Sequence, residues 1–154
     1  MSAPASPRGG APVGLLTDLD PVGAGAVLAF RLWHDGPAAQ ARLCADFARC
    51  LGPGDGQCAL GACAELCRLC HDYARRPLMR HGTDCPCLGA DEACFARVVA
   101  DASEGAREDA MLVAALMVRP DMAPAAVHLA EALGLALKRL ALGTVAEARR
   151  GPLH

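Results

Sequence analysis

A chain of 154 residues is long enough for one domain with its own core and short for two. Apolar residues make up 53% of it but aromatics only 3%, so the interior is built from Ala, Leu, Val, Cys and Met, which favours closely packed helices over a sheet. The net charge of -2, with acids and bases intermixed, leaves no basic footprint for nucleic acid.

In chain order, residues 1–19 are dense in Pro, Gly and Ser and are expected to form a flexible tail, ahead of a single helical domain over 20–150. The apolar run from Val22 to Phe30 is too short and too rich in Gly for a signal core or a membrane span. Asp20 followed by Pro21 predicts a helix start, with a first helix to His34 whose Trp33 docks against the core. Asp35 and Gly36 break it, and Pro37 opens a second helix to about Leu51. There Leu43, Cys44, Phe47 and Leu51 share the inward face, and Cys50 lies at its edge. GPGDG at 52–56 reads as a turn.

The next stretch, CALGACAELCRLCH from Cys58 to His71, places four cysteines and a histidine in fourteen residues. At about 100° per residue, Cys63, Cys67 and Cys70 fall within roughly 60° of one another, with His71 beside them. Glu65, Arg68, Asp72 and Arg75 take the opposite face, so the sulfurs point to whatever this helix packs on. Pro77 stops it.

Residues 76–89, RPLMRHGTDCPCLG, are the longest internal segment without helical periodicity and carry His81, Cys85 and Cys87. Proline in Cys-Pro-Cys stiffens the turn and presents two sulfurs together. Asp91 is expected to cap a fourth helix to about Ala102, with Cys94 at its margin. A fifth helix, from about Ala106 to Val118, is apolar around most of its girth and is expected to be the most buried element. Asp121 and Pro124 begin the longest helix, to about Leu142, where Gly143 ends it; Thr144 and Glu147 have the spacing for one more capped turn. The expected fold is all-α, an irregular bundle of five to six helices.

Nine cysteines are more than packing requires, and an odd count without a secretory signal argues for a reducing compartment, the cytoplasm, rather than a disulfide framework. Zinc takes four thiolate or imidazole ligands, and iron–sulfur clusters take four thiolates. Cys63, Cys67, Cys70 and His71 on the helix, with Cys85 and Cys87 folding back from the loop, can meet either requirement, though their spacing is that of no standard finger or ferredoxin run. Soft thiolates would also take copper(I), for which Cys44 and Cys94 would have to supply further sulfur. The competing reading is that cysteine packs as a small hydrophobe among alanines, in a metal-free helical adaptor that offers a partner protein an apolar helix face. Thiol catalysis through Cys70 and His71 is a third. Cys44, Cys50, Cys58 and Cys94 read as packing or surface residues, His34 as a helix-end cation, and His128 as a partly exposed packing residue.

Two pieces, HLAEALGL over His128 to Leu135 and CRLCHDYA over Cys67 to Ala74, resemble parts of the NifQ family, small cytoplasmic proteins implicated in supplying molybdenum for nitrogenase cofactor assembly. In that family the cysteine motif follows the helix; here it precedes it, and no cysteine follows Cys94. The resemblance implies a metal–sulfur donor, carrying a molybdenum-iron-sulfur species. The functional expectation is thus a metal- or iron–sulfur-binding accessory protein in metal handling or metallocofactor assembly, with a protein partner; no reaction can be read from the residues.

Overall fold

A computed structural model describes residues 8–151, which form six α-helices and one two-stranded antiparallel ribbon. The all-α expectation holds. The first helix, α1, spans Pro21–His34, and Asp20 caps it by accepting the Gly23 N–H at 2.7 Å. After Gly36, whose φ of 100° a larger residue would adopt only with strain, α2 spans Pro37–Leu51. Then α3 spans Pro53–Tyr73. Here the expected turn at 52–56 shrinks to Gly52, because Pro53 suits the first helical position and the chain turns helical at once.

The ribbon joins β1, Pro12–Leu15, to β2, Cys87–Gly89. Residues 8–19, expected within the tail, therefore hold a strand flanked by two short 3-10 turns, and the remainder of that tail lies outside the described residues. Leu16 N–H donates to Pro86 O and Ala90 N–H to Ala11 O, so pairing with the cysteine loop orders a segment whose own composition could not.

The helices α4, Ala90–Ser103, α5, Arg107–Met117, and α6, Ala123–Arg150, complete the bundle. In the packing, α3 lies on α2 and α6, while α4 lies on α1, α5 and α6. Small residues let these helices approach closely: a Cβ at Gly134 would sit 2.8 Å from the Val99 carbonyl oxygen, and one at Gly56 would sit 2.8 Å from the Ala48 backbone. Trp33 is half-buried against the core, as expected.

Four further expectations are corrected. Cys44 is exposed, since α2 buries only the narrower stripe Ala39, Leu43, Phe47 and Leu51. The fifth helix is not the most buried element. It lies at the margin of the bundle on α4 and α6, burying Ala110, Ala114 and Met117 and leaving Leu112 and Leu116 each 70% exposed. Next, α6 runs through Gly143, because one helical glycine costs about 1 kcal/mol and strong helix formers surround it. Thr144 Oγ1 accordingly donates to the Leu140 carbonyl within the same helix instead of capping a new one. Finally, Asp91 does not cap α4; the N-cap is Gly89, and Asp91 turns inward to accept both Arg76 NH groups and the Met79 N–H.

Candidate metal and thiol sites

The sulfur stripe of α3 lies where its periodicity puts it. Cys63, Cys67 and Cys70 are all buried, among Leu66, Leu69 and the alanines of the core. A hydrogen bond with Cys63, then burial, then the neighbouring sulfurs push the Cys67 thiol far above the usual range; burial pushes Cys70 up to about 12. Both are therefore neutral thiols at physiological pH.

A cleft of about 390 Å³ opens over two of them, lined by Cys67, Cys70, His71, Phe30, His34 and Arg80. His34 Nδ1 lies 2.8 Å from the Phe30 carbonyl oxygen. A carbonyl can only accept, so Nδ1 carries the proton and Nε2 keeps its lone pair. Burial above all, and then the charge of Arg80, lowers the His34 pKa against the opposing pull of the Phe30 hydrogen bond and favours this neutral form. The His71 ring is 81% exposed and pairs with Asp72 at 3.1 Å. Cys63, an expected ligand, contacts Cys67 but does not line the cleft.

The loop sulfurs occupy a different environment. Arg31, wholly buried in α1, donates Nε to Glu92 Oε2 at 2.6 Å and Nη2 to Oε1 at 2.9 Å. The guanidinium also reaches across the loop, Nη1 donating to the Cys85 carbonyl at 2.7 Å and Nη2 to the Cys87 carbonyl at 2.6 Å. Glu92 also accepts the Gly89 N–H at 3.0 Å. Cys85 and Cys87 are half-buried, the neighbouring Cys85 pushes the Cys87 thiol up, and Cys85 Sγ lies 3.8 Å from His81 Nδ1. Neither lines the cleft over α3.

The expected ligands thus form two groups, Cys67, Cys70 and His71 at the cleft and Cys85 and Cys87 in the loop. Among the described residues, no three His, Cys, Asp or Glu side chains are already gathered closely enough to hold a metal ion. The donor set at the cleft nonetheless suits a soft cation: two thiols and two imidazoles match the ligand number and type of tetrahedral zinc. The backbone bond at His34 Nδ1 orients that ring in the way metal-binding histidines are oriented.

Sequence reasoning missed His34 and Arg31. His34 stands four residues after Phe30 and so on the same helix face, a signal that was available. Arg31 sits alone among apolar residues, and its partner is 61 positions away. No family model, curated protein or solved structure matches the chain.

Proposed function

We propose that this chain is a cytoplasmic accessory protein that binds a soft metal ion in metal handling or metallocofactor assembly, using the cleft over α3. The observation that carries this reading is that Cys67, Cys70, His71 and His34 all line one cleft, where they would have to close in on an ion. That lining offers four nitrogen and sulfur donors from two helices, which favours a single zinc or copper(I) ion over an iron–sulfur cluster needing four thiolates. Cys67 and Cys70 would release their protons to the solvent on binding, and His71 would exchange Asp72 for the ion. The resemblance to metal–sulfur donors leans the same way.

Elemental analysis after anaerobic purification tests it. About one zinc or copper per chain is expected, lost in Cys67→Ser/Cys70→Ser and kept in Cys85→Ser/Cys87→Ser. Metal absent from the purified protein, and not taken up when zinc or copper(I) is added, would reject it in favour of a metal-free helical adaptor. Two observations favour that second reading: the helical thiols pack among alanines and leucines as small hydrophobes, and Leu112 and Leu116 stand exposed one turn apart on α5.

A further inference from the structure

We propose that Cys85 and Cys87 are a redox-active dithiol that exchanges with low-molecular-weight disulfides, with His81 as the base for Cys85. This inference is independent of the metal reading, because it uses none of the four donors proposed there.

Three features of the loop carry it. The first is its backbone: Pro86 fixes one dihedral, and the single guanidinium of Arg31 holds the carbonyl oxygens on both sides, at Cys85 and Cys87. Two residues of one short segment, one position apart, are thereby pinned on one rigid group. Closing a disulfide then needs little further ordering of the chain.

The second is the histidine. His81 Nε2 lies 2.9 Å from the Gly10 carbonyl oxygen, which can only accept, so Nε2 carries the proton of the neutral ring. The lone pair consequently sits on Nδ1, the atom 3.8 Å from Cys85 Sγ. The ring packs over Gly89, where a Cβ would come within 3.0 Å of it. Thiol, base and orienting carbonyl form the sequence that activates a sulfur nucleophile.

The third is access. Pro86 is exposed and both sulfurs are half-buried, unlike those of α3. Beside the loop a second cleft, of about 340 Å³, is bounded by Asp35, Arg80, His81 and Thr83, and its His81 is the side chain that meets Cys85. Arg80 at its wall can meet a carboxylate and Asp35 an ammonium group, the two charges that oxidised glutathione carries.

The exchange balances in two steps. Cys85 passes its proton to His81 Nδ1, and its thiolate attacks one sulfur of the small disulfide, whose S–S bond breaks; the departing thiolate takes the proton from His81. Cys87 then attacks the Cys85 sulfur of the mixed disulfide and expels the second small thiol, which leaves with the Cys87 proton. Two protein thiols are oxidised to one disulfide, and one small disulfide is reduced to two thiols.

The test treats the anaerobically purified full chain with oxidised glutathione and follows it by mass spectrometry with peptide fragmentation. A disulfide between Cys85 and Cys87, reversed by dithiothreitol, is expected beside any glutathione taken up by the exposed Cys44, Cys50 and Cys58. Cys87→Ser should instead accumulate one glutathione on Cys85. His81→Gln, which can keep a donor for the Gly10 carbonyl, should slow the first step at least about tenfold at neutral pH. That difference should vanish near about pH 10, where thiols ionise without a base. The proposal is overturned if no disulfide forms between these two cysteines, if Cys87→Ser traps nothing on Cys85, or if His81→Gln reacts like wild type at neutral pH.

Discussion

Arg31 and Glu92 stand 61 residues apart in the chain and meet in a two-pronged ion pair, both side chains fully buried. It links α1 to α4 and, through the Cys85 and Cys87 carbonyls, to the loop and the β-ribbon. Removing one partner leaves the other charge buried and unpaired. Glu92→Gln should therefore cost about 3–5 kcal/mol in chemical denaturation. The apolar pair Arg31→Met with Glu92→Leu should recover part of that loss, whereas equal damage from single and double variants would mean that the loop carbonyls matter more than the charges.

The same pair sets a pH dependence. Burial by itself would raise the Glu92 pKa, but the Arg31 hydrogen bonds and charge, with the Gly89 and His81 N–H groups, hold it below the usual carboxylate range. A carboxyl with a depressed folded-state pKa contributes its full stability above its unfolded value and loses it as the pH falls through the folded one. Thermal unfolding followed from pH 7 downward should show stability falling below the ordinary glutamate range. In the Arg31→Met/Glu92→Leu variant that part of the slope should be missing.

Two glycines of α6 should respond in opposite directions. A methyl at Gly134 would meet the Val99 carbonyl and the Ser103 Cβ, at 2.8 and 2.6 Å, so Gly134→Ala should destabilise by about 1–3 kcal/mol. At Gly143 nothing lies within 4 Å, and Gly143→Ala should stabilise by about 0.5–1 kcal/mol through helix propensity alone. Urea denaturation midpoints of the two variants decide this.

Thiol labelling should sort the cysteines by burial. Cys44, Cys50 and Cys58 are exposed and should react with a maleimide first. Cys63, Cys67 and Cys70 should stay protected until the bundle opens, since two of them are also held protonated. Peptide mapping of the native protein over time reads the order; early modification of Cys67 would show that the α3 face is not packed as described.

Much of the fold was legible because helix boundaries are local. Asp20-Pro21, Gly36-Pro37 and Pro77 carry their own backbone chemistry, and α1 and α2 begin and end where those signals fall. The orientation of the α3 sulfurs was equally readable, since charges fill the opposite face. The site was only half legible. Cys67, Cys70 and His71 follow from spacing on one helix, but His34 joins them only because α1 passes the same cleft.

By itself the sequence determined which segments are helical and which face of each is apolar, because both depend on residues within a few turns of one another. Tertiary structure alone decided that Cys85 and Cys87 stand apart from the α3 sulfurs, that residues 12–15 pair with 87–89, and that α5 lies at the margin. It also brought Arg31 to Glu92. These relations depend on where distant segments come to rest, and a charge inside an apolar run gives no sign of which carboxylate will meet it. Asp91 and Glu92 are neighbours, yet one takes Arg76 and the other Arg31, a choice fixed only by how α1 and the 76–79 segment pack against the start of α4.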